Sequence, residues 1–324
     1  MFNYYIKNLN KYNENILYLI VILLITGPAL PDIVATILSI ISISIIIRDK
    51  KINENTYILL LPFIFLIIPN IFSSYFPNPL LEQLLNLRYV FFALFIIIYY
   101  SLNLDNLIKF LLILTIIISL DLIFQYIFKY NIIGLEINSG HKQSRASSFF
   151  RDELIAGSYI LKLSLPVLGY YIYNKRFIIV ILLLVLYQLS IISSGERMSF
   201  LLFNFGCLIL MIFHISKKNY KFFISGIIIS LLVFSTTYVV FDGVKHRINN
   251  ALNSLNISDD GSINSQHLGH YIVAYEIYKD NKIFGTGHKT FRVECKEKEN
   301  LVKVNSEIIK NNPNVNRGCS IHPH

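Results

Sequence analysis

The sequence is poor in charge. Only 15% of its 324 residues are Asp, Glu, Lys or Arg, against 54% hydrophobic residues, and its mean hydropathy is +0.54. A water-soluble domain cannot hide that many apolar side chains and keep a solvated surface, so a soluble enzyme or binding module is excluded and an integral membrane protein is left. The chain also lacks a P-loop and an Asp-x-Asp pair, so nothing in it announces a nucleotide-phosphate site. The first apolar run, Ile16 to Ile25, has no small-residue cleavage site and is followed by further runs, which excludes a cleavable signal peptide. Nucleic-acid binding is not indicated either. The formal charge is +9, but 18 Lys and Arg against 11 Asp and Glu fall in residues 1–241, where they sit in connections between apolar runs, and the remaining 83 residues hold 11 against 9.

What the chain does have is apolar runs of spanning length, about 20 residues each. Nine are expected: Asn15 to Leu30, Asp32 to Ile47, Thr56 to Phe72, Leu84 to Leu102, Asn106 to Phe128, Leu154 to Tyr173, Arg176 to Ile192, Met198 to His214 and Tyr220 to Val240. Pro28 and Pro31 argue against one continuous helix through the first two. The fold class is therefore all-α, a polytopic transmembrane helical protein with a large external, partly helical loop. Residues 1–241 form the spanning domain and 242–324 the loop. Lys7, Lys11, Arg48 to Lys51, Lys109, Lys175, Arg176, Lys217, Lys218 and Lys221 share one side, which the positive-inside rule makes cytoplasmic. The N-terminus is then cytoplasmic, and nine spans place the tail outside.

The connection between the fifth and sixth runs breaks that rule, because it carries Lys129, His141, Lys142, Arg145 and Arg151 on the outer side. It is either a tolerated exception or an anion site. Asp121 and Lys162 lie inside runs, where charge is costly; pairing across helices or snorkelling of Lys162 is preferred to an ion pathway. Ser193 to Ser199 reads as a tight glycine turn with an ordinary Glu196–Arg197 ion pair. In the tail, Ser265 is a candidate N-cap and His267 to Asp280 a helix, with Tyr271, Tyr275 and Tyr278 on one stripe, expected to pack on the membrane surface or the loop rather than serve as a sugar platform. Asn281 to Gly287 follows as a turn.

Cys207 lies within a run and reads as a small apolar side chain. Cys295 and Cys319 both fall in the external loop, where an oxidising compartment lets them pair and close a loop worth roughly 3 kcal/mol. Seven of the eight histidines are external. His267, His270, His322 and His324 supply four nitrogens, but no Cys or carboxylate is grouped with them, so a general base near neutral pH is a simpler use than a metal site.

Three blocks together resemble the O-antigen ligase and polymerase family of bacterial inner-membrane glycan-transfer proteins. They are Ser148-Phe-Phe-Arg-Asp-Glu-Leu-Ile-Ala-Gly-Ser-Tyr159, Leu189-Ser-Ile-Ile-Ser-Ser-Gly-Glu-Arg197, and Tyr271 to Phe291 followed by Cys319-Ser-Ile-His-Pro-His324. The resemblance covers the chain from about the third run onward. It implies transfer of a glycan from a polyprenyl-diphosphate carrier to a lipid A-core acceptor, or to another repeat unit in the polymerase alternative, at the periplasmic face of the inner membrane, with the lipid bilayer as environment. It implies no metal and no other cofactor. A diphosphate leaving group needs fixed positive charge where negative charge develops, and arginine suits it. Arg197 and Arg247, at external span ends, are the expected catalytic arginines, with Arg145 and Arg151 as further substrate-binding residues. His324 aligns with the signature histidine as base, and His322 orients it or packs. Two departures stand out. Position 196 is Glu where the resemblance leads one to expect Ser, and the sequence ends where the signature would continue, so the chain is expected to be a C-terminally truncated member. A lipid-linked sugar transporter or flippase and an inactive remnant are the rivals; the former predicts an internal repeat, which is not seen.

Overall fold

A computed structural model describes residues 15–49, 54–99, 104–137, 145–151, 153–214, 220–253 and 266–298. Among them there are helices and no strand. In chain order they are α1 (Asn15–Thr26), α2 (Ala29–Asp49), α3 (Glu54–Ile71), α4 (Asn78–Leu85), α5 (Leu87–Tyr99), α6 (Leu104–Phe128), α7 (Ala156–Tyr173), α8 (Phe177–Ser194), α9 (Arg197–His214), α10 (Tyr220–Val240), α11 (Asp242–Asn253), α12 (Gln266–Asp280) and α13 (Phe291–Lys298). A helix stands at each of the nine expected runs. Six stretches are long and apolar enough to cross a membrane: Ala29–Arg48, Asn78–Ile96, Leu104–Phe128, Phe177–Ser194, Arg197–His214 and Tyr220–Val240. α1 and the apolar part of α3, Leu60–Ile71, are shorter, and α7 is diluted by Lys162, its tyrosines and Pro166. The count of nine spans is thus not reached, but the class is that of an all-α polytopic membrane protein. The side chains say the same: Ile178 and Phe213 are 78% and 82% exposed, which suits lipid and not water.

The chain divides into two compact units, residues 1–31 with 101–248, and residues 32–100 with 249–324. The boundary expected at 241, drawn between an expected spanning domain and an expected external loop, is a different kind of division.

In the first unit α7 lies against α6, α8 and α9, and α10 lies against α8. Ile118, Leu122, Ile160, Val167, Leu168, Tyr187, Ile191 and Phe203 have lost essentially all exposure there. Gly206 lets α9 approach α7 so closely that a Cβ would meet Leu165 at 2.8 Å, the small-residue contact that packs helices in lipid. Polar groups buried among the helices pair with one another: Thr115 with the Tyr187 hydroxyl at 2.8 Å, and Gln188 of α8 with Asn204 of α9 at 2.7 Å, joined by Ser230 of α10.

In the second unit α3 packs on α4 and α5, and α12 on α13 through Val273, Ile277, Phe291 and Cys295. Tyr271, Tyr275 and Tyr278 are exposed, so within this unit the tyrosine stripe is not the packing face of α12. Ser265 lies outside the described residues. The turn expected after α12 is present, with positive φ at Gly285 and Gly287.

Candidate functional site

The connection from α6 to α7 is shaped by polar side chains at the C-terminal end of α6. Asp121 is completely buried, yet its partners are not the expected cation. Its two oxygens accept from the Ile132 N–H at 2.9 Å and the Ser148 hydroxyl at 2.5 Å, while Lys162 is exposed on the outside of α7. The cross-helix pairing of Asp121 with Lys162 is therefore replaced by a carboxylate tying down its own loop. One turn on, Gln125 Oε1 accepts from the N–H groups of Ser147 and Ser148 at 2.9 and 2.7 Å, and its amide donates to the Leu135 carbonyl at 3.2 Å. Asn131 donates to the Ser148 carbonyl at 3.1 Å and accepts from the Leu135 N–H at 2.7 Å. These bonds hold Ser148 at φ 54°, a region that few non-glycine residues adopt; Arg151, three residues on, is also there at φ 55°.

That loop delivers Arg145 to the C-terminal end of α8. The Ala146 N–H donates to the Ser193 carbonyl and Arg145 Nε to the Ser194 carbonyl, both at 3.1 Å. Arg145 is half-buried. Burial pulls its guanidinium below the usual arginine value; Glu196 opposes that shift and Arg197 adds to it. The charge is retained at any physiological pH. Through the Ser194 carbonyl Arg145 is held three residues before Arg197, which is the first residue of α9 and exposed.

Glu196 does not make the solvated ion pair with Arg197 expected of it. Gly195 takes the left-handed conformation that ends α8, φ 73°, which swings Glu196 to the N-terminus of α7. There its carboxylate accepts from the N–H groups of Gly157 at 2.6 Å and Ser158 at 3.0 Å, and from the Ser199 hydroxyl at 2.7 Å. The N-cap of α7, Ile155, has no side-chain acceptor of its own, so Glu196 supplies it from 39 residues away. Gly157 is required for this approach: a Cβ would collide with Ser194 Oγ and reach Glu196 Oε1 at 3.0 Å. Among the described residues neither Arg145 nor Arg197 has a salt-bridge partner. The result is a pair of unneutralised guanidinium groups beside a carboxylate that is occupied elsewhere, an arrangement able to hold a multiply charged anion.

Arg151 is exposed on the same connection as Arg145, and Arg247 lies on α11, its side chain outside the described residues. α11 is entered through Phe241, whose ring meets Tyr126 of α6 edge-on at 5.4 Å. His322, His324 and Cys319 lie outside the described residues; Cys295 is buried and disulfide-bonded, and Cys207 is free. Among the described residues no group of three metal-ligating side chains occurs.

The second unit has its own polar tie, which sequence reading missed. The 281–290 turn docks on the segment after α3. The Asn70 side chain accepts from the His288 N–H at 2.5 Å, Ser73 donates to the Thr286 carbonyl, Glu82 pairs with Lys289, and Phe284 stacks on Phe72 at 4.3 Å. Gly287, at φ 104°, leaves no room for a Cβ against Ser73 and Pro79. Arg88 was likewise missed; it pairs with Asp32 at 3.0 Å, and Tyr89 donates to the same carboxylate.

Compared with known proteins, residues 178–324 match the family model described as O-antigen ligase. The match supports membership of the O-antigen ligase/polymerase family. It begins in α8, and two of the three resembling blocks fall inside it; the block at 148–159 precedes it. No curated protein and no solved structure matches the chain.

Proposed function

We propose that this multi-pass membrane protein, matched over residues 178–324 to the O-antigen ligase family, transfers a glycan from a polyprenyl-diphosphate carrier to a lipid A-core acceptor without a metal ion. The observation that carries the reading is the Arg145–Arg197 pair, two cations without salt-bridge partners among the described residues, at the end of α8 and the start of α9. In the reaction the bond from the anomeric carbon to the diphosphate oxygen breaks and its electron pair leaves with the diphosphate. The acceptor oxygen bonds to that carbon, and its proton passes to a base, for which His324 is proposed. The leaving diphosphate gains negative charge as the bond breaks, so preorganised guanidinium groups stabilise the transition state more than the bound donor. Arg247 and Arg151 are proposed to contribute further positive charge and His322 to orient the base. The N-terminus and the basic connections are placed in the cytoplasm, and the α6–α7 connection and residues 242–324 in the periplasm.

The test is transfer by the full chain reconstituted in vesicles with a lipid-linked glycan and a lipid A-core acceptor. Arg145→Ala and Arg197→Ala are each expected to lower transfer by about 100-fold, the scale of removing a transition-state donor, while the carrier still crosses the bilayer at the wild-type rate. Unchanged transfer in both variants refutes the assignment. Loss of carrier translocation in both makes the protein a transporter, and products that lengthen by whole repeats without lipid A-core make it a polymerase.

A further inference from the structure

The leaving diphosphate is a monoester carrying more negative charge than the diester donor, so a bare pair of arginines would hold the spent carrier more tightly than the fresh one. A site of that kind gains transition-state stabilisation and loses turnover to slow product release. Glu196 stands where this conflict is decided. It adjoins Arg197 in sequence, stands two residues after Ser194, whose carbonyl Arg145 holds, and is fixed by two α7 amides and the Ser199 hydroxyl, which keep it from neutralising either guanidinium. The donor therefore meets two available guanidinium groups in the field of one immobile carboxylate, a net local charge of one instead of two.

We propose that Glu196 is a positioning residue that sets the charge of the Arg145–Arg197 pair low enough for the spent polyprenyl diphosphate to leave. The proposal rests on the function read above. It accounts for an acidic residue next to a diphosphate-binding arginine, a place where a small neutral residue would leave the pair with its full positive charge. It also accounts for the carboxylate's being immobilised: a mobile Glu196 would pair with an arginine and take it out of the site.

The experiment is a titration of the purified full chain in detergent with farnesyl diphosphate, which carries the diphosphate monoester and no glycan, followed by steady-state transfer with the glycan-linked donor. Two variants remove the charge in different ways: Glu196→Gln keeps one acceptor oxygen, and Glu196→Ser keeps an N-cap for α9. Both are expected to bind farnesyl diphosphate about fivefold more tightly than wild type, the scale of one partly exposed charge interaction. Both are also expected to lower KM for the donor and kcat together. Structural damage gives the opposite pattern, a raised KM with a lowered kcat. Equal or weaker binding in both folded variants overturns the proposal, as does failure of both to yield folded protein, which would make Glu196 a folding element only. If the wild type binds and Arg145→Ala abolishes binding while neither Glu196 variant gains affinity, this inference alone fails. If the wild type does not bind farnesyl diphosphate at all, the function proposed above fails with it.

Discussion

Replacing Gly157 by alanine tests whether the α7 N-terminus is built as described. The added Cβ would lie against Ser194 Oγ closer than real contacts allow, and 3.0 and 3.1 Å from Oε1 and Cδ of Glu196. Neither neighbour can simply step aside. Ser194 Oγ donates to the Ile191 carbonyl at 2.7 Å, and Glu196 is held by three donors, one of them the Gly157 N–H itself. Relief requires moving the carboxylate off α7, which forfeits charge-assisted hydrogen bonds worth about 1.5–3 kcal/mol, or spreading α7 from the end of α8 at an overpacking cost of about 1–3 kcal/mol. The gain in helix propensity from Gly to Ala returns at most about 1 kcal/mol. A net loss of about 1–3 kcal/mol follows from these scales. Gly169, on the same helix, is the internal control: a Cβ there meets Leu210 at 3.4 Å, the lower edge of ordinary van der Waals contact. Thermal unfolding of the two variants in one detergent decides it. Gly157→Ala is expected to unfold well below wild type, with Gly169→Ala at or slightly above it. Equal midpoints for the two would refute the clamp between Glu196 and α7.

Asp121→Ala leaves the Ile132 N–H and the Ser148 hydroxyl without their buried acceptor and is expected to cost about 3 kcal/mol, read by thermal unfolding; a loss below about 1 kcal/mol would mean that water replaces the carboxylate. Asp121→Asn keeps an acceptor oxygen and is expected to lose less than half as much. In the second unit, Asn70→Ala combined with Ser73→Ala removes the acceptor for the His288 N–H and the donor to the Thr286 carbonyl, so limited proteolysis is expected to cut within 281–290 at least about tenfold faster, the factor for roughly 1.4 kcal/mol of local opening; an unchanged rate would show the turn to be held by Phe284 and Lys289 alone. Arg145→Lys, which keeps the charge but cannot hold the Ser194 carbonyl through Nε while presenting a two-pronged donor, is expected to lose about tenfold or more in glycan transfer; wild-type transfer would reduce Arg145 to a point charge.

The helices were legible because lipid imposes one rule on every span, about 20 apolar residues with the backbone satisfied internally. A helix stands at each expected run, closely so at Tyr220–Val240 and Arg197–His214, but among the described residues a threshold of length and apolarity is met by six stretches and not nine. α7 shows why the two differ: Lys162 and the tyrosines lower its hydropathy, yet it lies against α6, α8 and α9 in the first unit. Arg197 was legible as a span-end cation and Arg145 as part of the basic cluster between the fifth and sixth runs. Their juxtaposition was not, since it depends on a loop held at Ser148 in a backbone conformation that no glycine marks. Asp121 and Gln125 did carry a signal. They stand four residues apart on one face at the end of an apolar run, the spacing of two side chains reaching for the same segment. Glu196 carried none, because its partners Gly157 and Ser158 precede it by 39 and 38 residues.

The distribution of these polar ties follows from the membrane itself. Apolar side chains specify little among lipid tails, where a leucine is as well solvated by lipid as by another helix. Exposed apolar faces such as that of α10 leave rotation and depth to a few contacts, here Phe200 on Phe234 and the Gln188–Asn204–Ser230 cluster. The connecting segments must then be fixed by hydrogen bonds that lipid cannot supply, and the place to put them is the span end, where an amide or carboxylate can reach loop backbone without being stranded in hydrocarbon. Both units do this, with Asp121, Gln125 and Asn131 in the first and Asn70 and Ser73 in the second. Glu196 applies the same device between two helices, and in doing so brings a negative charge to within reach of the arginines without giving it to them. The carboxylate that looks out of place beside two arginines is thus held in position by three donors on two helices.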